Sequence, residues 1–184
     1  IEAQAQKLQA LIEVLTKSSR LETGILLLYP EKNPLMPTVQ RAAEQFQLKA
    51  KEKQIALICE NIQGQAVFDP KWTEEALCNL LDNAVKYTPC GGAVKVEVRN
   101  YEMFACIRIT DSGPGIPEDE QAKIFGRFYR SCGAYSKEGV GIGLYLTRQI
   151  AEKQSGYVKV ESVPGKGSCF CLFLPRDHHS ISSL

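Results

Sequence analysis

At 184 residues, the chain is long enough for one ordinary domain plus a short appendage, because a core of that size buries enough surface to fold unaided. With 22 basic residues against 21 acidic ones there is no strong field, which argues against nucleic acid or an anionic membrane as the main ligand and makes any phosphate site local. No stretch approaches the roughly 20 apolar residues that cross a bilayer and the first residues do not resemble a signal peptide, so membrane attachment is expected only through segments outside this chain.

Along residues 4–22, Leu8, Leu11, Ile12, Leu15, Ser19 and Glu22 recur at three- and four-residue spacing, which predicts an amphipathic helix ending near Gly24. Residues 25–37 carry Pro30, Pro34 and Pro37 and break that periodicity, so they read as a linker with a short strand at 25–28. Residues 38–53 form a second helix with Val39, Ala42, Ala43 and Phe46 on one face, and 55–59 and 66–68 are short strands around a turn at 61–64. Asp69-Pro70 is a strong helix start, a capping carboxylate followed by proline in the first turn; the helix runs to Tyr87, where Pro89 and Gly91-Gly92 stop it. Val94, Val96 and Val98 alternate with charged residues, and 104–110 alternates likewise, which predicts an antiparallel hairpin with one wet face. Helices at 118–128 and 142–154 follow, then a second hairpin of 157–161 with 168–174 around Pro164-Gly165.

The cysteines at 59, 78, 90, 106, 132, 169 and 171 are odd in number and several sit in apolar runs, which favours a reduced, cytosolic compartment. None forms a C-x-x-C with a second pair or a histidine nearby, which argues against a structural zinc site, and Cys169-x-Cys171 reads as strand packing.

On the helix that starts at Pro70, Asn79, Asn83 and Lys86 follow i, i+4, i+7 spacing, so two amides and an ammonium share a face. An amide carbonyl is a neutral hard-oxygen ligand for Mg²⁺ and a lysine a point charge for phosphate; a solvated polar face would have the same pattern. Asp111-Ser-Gly113-Pro-Gly115-Ile116-Pro117 follows an apolar strand, where glycines admit a flat ligand and the carboxylate can accept from an exocyclic amine, although Asp-Ser-Gly is also ordinary turn chemistry. Gly139-Val140-Gly141-Ile142-Gly143-Leu144 opens a helix, where exposed N–H groups and the dipole favour an anion. Leu144 stands where a dinucleotide fingerprint needs a third glycine or alanine, and no G-x-x-x-x-G-K-[ST] occurs, so the Rossmann and P-loop routes are excluded. Between the glycine segments, the arginines of Phe125-Gly-Arg127-Phe128-Tyr129-Arg130 precede a small, polar stretch at 131–138 that reads as a lid; two exposed arginines at a helix end can equally be solvated there.

In this order the segments resemble the boxes of the histidine kinase ATP-binding domain, within the wider group that includes gyrase and the Hsp90 chaperones. Residues 79–88 look like its asparagine box, 111–115 and 139–144 its first two glycine boxes, 125–130 its phenylalanine box, and Gly165-Lys-Gly167-Ser168 its last glycine box. The resemblance implies an α/β fold, a two-layer sandwich of a mixed, largely antiparallel sheet covered by three helices. It also implies ATP and Mg²⁺ as ligands. Asn79 and Asn83 would hold the metal, with Lys86 at the phosphates and Tyr87 packing on the nucleotide. Asp111, with Gly113, Gly115, Ile116 and Ser168, would hold adenine. Arg130 would approach the γ-phosphate, and Gly139, Val140, Gly141, Ile142, Gly143 and Leu144 would contact the phosphates from the lid end.

Residues 1–34 resemble the second helix of the family's dimerisation hairpin with its linker, 35–176 the catalytic domain, and 177–184 a tail. Implied partners are that hairpin, in a homodimer, and the receiver domain of a response regulator. Where gyrase and the chaperones place a catalytic glutamate, this chain has Asn79, and an amide cannot serve as general base for water, which favours transfer to a histidine over hydrolysis. The only histidines are His178 and His179 in the polar tail. Either the chain is cut after the acceptor helix or it is a nucleotide-binding module without catalysis; an anti-sigma-factor serine kinase is a third reading, disfavoured by the N-terminal helix.

Overall fold

A computed structural model of the chain describes residues 27–129 and 141–177, together with Gln9, Ile12, Leu15, Thr16, Ser19, Arg20 and Thr23. Of the N-terminal stretch, the described residues from Gln9 to Arg20 are helical, as their spacing predicts. The elements that follow are strand Glu31–Pro34 (β1), helix Leu35–Glu52 (α1), strands Ala56–Cys59 (β2) and Gln65–Phe68 (β3), helix Pro70–Tyr87 (α2), strands Ala93–Asn100 (β4) and Phe104–Asp111 (β5), a single turn of helix Glu118–Gln121 (α3), a 3₁₀ turn Lys123–Phe125, helix Gly143–Lys153 (α4), and strands Tyr157–Val163 (β6) and Gly167–Pro175 (β7).

Five strands form one sheet in the order β2-β4-β5-β7-β6, antiparallel except for the β2–β4 pair. Side chains alternate across a strand, so Val94, Val96, Val98, Ala105, Ile107, Ile109, Phe170 and Leu172 all turn to one face. There they meet Val39 and Ala42 of α1, Leu77, Leu80 and Leu81 of α2, and Leu146 and Ile150 of α4 in a single core. The result is the two-layer α/β sandwich expected, a mixed, largely antiparallel sheet under three helices.

Four expectations change. The segment read as a linker contains a strand at 31–34, where β1 pairs antiparallel with β3 in a separate two-stranded sheet; of the strand expected over 25–28, Leu27 and Leu28 are not in a strand and 25–26 lie outside the described residues. Helix α1 begins at Leu35, ahead of the predicted Thr38, because Pro37 falls in the first turn, where its missing N–H costs nothing. The strands flanking the turn at 61–64 do not pair with each other; β2 instead lies parallel to β4, with Ala56 opposite Ala93. The helix predicted over 118–128 stops at Gln121 and tightens to 3₁₀ through Phe125, after which Phe128 takes a positive φ of 63° and ends any helical run.

Helix α2 carries the candidate residues, and its ends are held by named groups. Asp69 caps its start: one carboxylate oxygen accepts from the amides of Lys71 (3.0 Å) and Trp72 (3.2 Å), and the other accepts from Tyr29 N–H at 3.0 Å. At the far end the Lys53 ammonium donates to the carbonyls of Val85 (2.6 Å), Lys86 (3.1 Å) and Thr88 (3.0 Å), which complements the negative end of the dipole. Replacing Asp69 with Ala leaves three amides without their acceptor and is expected to lower unfolding free energy by about 2 kcal/mol. Urea unfolding measures it, and a midpoint shift worth less than about 0.5 kcal/mol at unchanged slope would contradict the capping role.

Candidate functional site

The face of α2 that bears Asn79, Asn83 and Lys86 is half-buried, with Leu77, Leu80, Leu81 and Ala84 turned into the core. The Asn79 amide nitrogen is buried and has no hydrogen-bond partner among the described residues. The start of α4 lies against that amide: a Cβ built on Gly143 would stand 3.2 Å from Asn79 Oδ1. Ile142 precedes α4 with no side-chain cap, and Gly141 has φ of +76°, so among the described residues no side-chain oxygen at the N-cap takes the first amides of this helix. An unpartnered buried amide facing an uncapped helix start suits a ligand with several hard oxygens, because the dipole and N–H groups draw an anion while the amide oxygen can face a cation. Lys86, two turns along, places its ammonium 5.1 Å from the centroid of the Tyr87 ring.

Asp111 ends β5, buried beneath this face. Its carboxylate accepts from Gly113 N–H at 2.8 Å, and β5–β7 register sets it opposite Ser168. Burial pushes its carboxyl above the ordinary value, while the amides of Gly113 and Ser168 pull in the opposite direction. A Cβ on Gly113 would lie 3.2 Å from the Tyr87 carbonyl and 2.6 Å from Asp111 Oδ1, so glycine lets the end of α2 close on the end of β5 without displacing that carboxylate. Gly115, at φ +74°, lies against the backbone of Val163, and Ile116 beside it is half-buried.

The fold therefore brings together Asn79 with Gly143, Tyr87 with Gly113, and Asp111 with Ser168. Asn83 lies on the same face of α2 as Asn79, and Leu144 is half-buried in the first turn of α4. Arg130, Gly139 and Val140 lie outside the described residues, as do the lid at 131–138 and both histidines. Arg127, within the phenylalanine box, lies 6.0 Å from the ring of Tyr145 in the first turn of α4.

Ser162 escaped the sequence reading. Its hydroxyl accepts from Ile116 N–H at 2.8 Å, donates to the Gly167 carbonyl at 2.9 Å and lies 2.9 Å from the Ser168 hydroxyl. It thus ties the loop after Asp111 to the last glycine segment. Gln121 reinforces the tie, donating to the carbonyls of Ile116 (3.0 Å) and Ser162 (2.9 Å). A lone serine in an alternating strand offers no local signal of such a role.

Comparison with known proteins bears on this arrangement. The sequence profile of the histidine kinase-, DNA gyrase B- and HSP90-like ATPases matches residues 68–178. The chain belongs to that family. Among curated proteins, it is 35% identical over 175 residues to the adaptive-response sensory kinase SasA of Rippkaea orientalis, a match covering 94% of this chain and 45% of that protein. It is 31% identical over 172 residues to the sensor protein kinase PmrB of Pseudomonas aeruginosa, covering 93% of this chain and 36% of that one. The chain thus spans less than half the length of these relatives. Among solved family structures, the mycobacterial sensor histidine kinase MprB superposes with a TM-score of 0.69 at 28% identity, over 79% of this chain and 97% of that one. No helix among the described residues is long and apolar enough to cross a membrane.

Proposed function

We propose that this chain is the ATP-binding kinase domain of a two-component sensor histidine kinase and moves the γ-phosphate of ATP to a histidine outside the sequence given. The observation that carries this reading is the unpartnered Asn79 amide facing the uncapped start of α4. An amide there can hold a cation but cannot deprotonate water, so transfer to a side chain that is already nucleophilic is favoured over hydrolysis.

In this reading Asp111 accepts from the exocyclic amine of adenine, in a slot kept open by Gly113 and Gly115 and bordered by Ile116 and Ser168. Tyr87 packs on the nucleotide. The amides of Gly143 and Leu144, with the backbone of Gly139, Val140, Gly141 and Ile142, receive the phosphates, and Lys86 and Arg130 add positive charge. The residues present fit a magnesium ion: Asn79 and Asn83 offer neutral hard oxygens on one face of α2. When bound, Mg²⁺ neutralises charge that develops on the phosphates. The dimerisation hairpin, to which residues 1–34 would contribute a helix, supplies the acceptor within a homodimer. Residues 35–176 then constitute the catalytic unit, and phosphate passes to the receiver domain of a response regulator. The names of the related sensor kinases support this reading, and a cytosolic setting follows from it.

Calorimetry with ATP and GTP in the presence of Mg²⁺ tests the assignment. GTP presents a carbonyl where adenine presents an amine, so the Asp111 carboxylate should select ATP. Asp111→Asn should weaken ATP binding by about 1–3 kcal/mol, the cost of a mismatched buried polar group. Equal affinities for the two nucleotides would remove Asp111 from the base-recognition role.

A further inference from the structure

The sheet face turned away from the helices holds a feature that nucleotide binding does not use. Cys106, Cys169 and Cys171 are buried there beside Phe173, in a cluster separate from the main core. The wet face expected for these strands is therefore dry at its centre.

Cys169 and Cys171 are two apart on β7, so both side chains point to this outer face, and their sulfurs are 3.7 Å apart. Two divergent observations fit that spacing to a metal rather than to a disulfide. In tetrahedral zinc coordination, with Zn–S of about 2.3 Å, two ligand sulfurs stand about 3.8 Å apart. Along a strand, by contrast, residues two apart separate their Cβ atoms by roughly 6.6 Å, where a disulfide needs about 3.8 Å. On β6, Glu161 is opposite Cys169, and one of its carboxylate oxygens lies with the two sulfurs in a group whose members are all within 4.8 Å of one another.

We propose that Cys169 Sγ, Cys171 Sγ and the Glu161 carboxylate bind a thiophilic divalent cation of the zinc class, with a water completing the tetrahedron. Each thiol gives up its proton to solvent as its S–H bond is replaced by a sulfur–metal bond, so about two protons leave per ion. Two thiolates and a carboxylate around a divalent ion carry one net negative charge. Arg108, opposite Cys171 on β5, offsets it: its guanidinium is 3.3 Å from Glu161 Oε2 and also 3.3 Å from Glu97 on β4. Lys159 flanks Cys171 from β6, its ammonium 5.3 Å from the Tyr157 ring centroid. Arg108 thus holds the Glu161 carboxylate in place, the part that outer groups play around metal ligands. The site follows Ser168 directly, so an ion there would fasten β6 to β7 behind Asp111.

The test uses the reduced, chelator-treated chain, titrated with Cd²⁺ while thiolate-to-cadmium charge-transfer absorption is followed, and with Zn²⁺ against a chromophoric chelator. One ion per chain bound through two thiolates, with about two protons released in calorimetry across buffers, is the expected result. Cys169→Ser should weaken Zn²⁺ binding at least ~100-fold and the exposed Glu161→Gln about tenfold, while joint replacement of Cys59, Cys78, Cys90 and Cys132 by serine leaves it unchanged. If Cys169→Ser does not fold, Glu161→Gln and the thiolate count decide. No saturable binding, or binding unmoved by Glu161→Gln and Cys169→Ser but lost with the other four cysteines, overturns the proposal. Because the readout is metal binding without nucleotide, this result is independent of the kinase assignment.

Discussion

Incubated with Mg²⁺ and γ-labelled ATP, this chain alone is expected to acquire almost no acid-labile, base-stable phosphate, and labelling should appear only on an added fragment carrying the acceptor hairpin. The expectation rests on composition as much as on geometry. The two histidines, His178 and His179, follow Pro175 in a polar stretch whose sequence does not resemble the family's acceptor segment. In the proposed reading, an acceptor imidazole supplied in trans would meet a γ-phosphate oriented by Lys86 and the start of α4, with positioning and charge stabilisation supplying most of the acceleration. Asn79→Asp is an informative control. It keeps an oxygen ligand but adds negative charge beside the phosphates, so transfer should drop at least tenfold, with the unfolding midpoint little changed. An unlabelled hairpin, with its fold and ATP binding both verified, would leave a nucleotide-binding module without catalysis. Label on His178 or His179 would overturn the assignment of the acceptor to another segment.

Gly115→Ala should abolish measurable ATP binding and cost about 3 kcal/mol of stability, the sum expected for left-handed strain and overpacking. Gly115 has φ of +74°, and a Cβ there would overlap the Val163 carbonyl oxygen and come 2.7 Å from its carbon and 2.9 Å from Pro164 Cα. These neighbours are backbone, so they cannot swing aside. The displacement would pass through the β6–β7 turn to Gly167 and Ser168, which back Asp111. Gly165→Ala supplies the comparison: φ there is +79°, but a Cβ meets nothing within 4 Å. It should cost only about 1 kcal/mol, for backbone conformation alone, and leave nucleotide affinity within a factor of two or three. Chemical denaturation and calorimetry on both variants decide the matter. Equal losses for the two would mean that the close approach of Gly115 to Val163 does not shape the site.

Features written in local chemistry were legible from the residues. The cap at Asp69, proline at the first position of α2 and the stop after Tyr87 set that helix to the residue, because capping and termination depend on side chains within a few positions. Alternation predicted the β4–β5 and β6–β7 hairpins, whose partners are neighbours in sequence. The ordered boxes carry the family, and they contain Asn79, Tyr87, Asp111, Gly113, Gly143 and Ser168, which the fold brings together in pairs. Tertiary structure decided what depends on residues far apart in the chain. Whether β2 joined β3 or lay parallel to β4 was settled by the edge that the β4–β5 hairpin left open, and β1 became a strand because β3 was free to pair with it. Lys53 takes its role from carbonyls, and Ser162 from the Ile116 amide, more than 30 residues away, for which single residues in a periodic pattern have no local sign. The thiol cluster belongs to the same class. In sequence Cys169-x-Cys171 reads as strand packing and no zinc motif is apparent; β6 and β5, by pairing on either side, set Glu161 and Arg108 beside the two thiols. Spacing along a chain determines which side chains face together, and only the register between strands determines what they face.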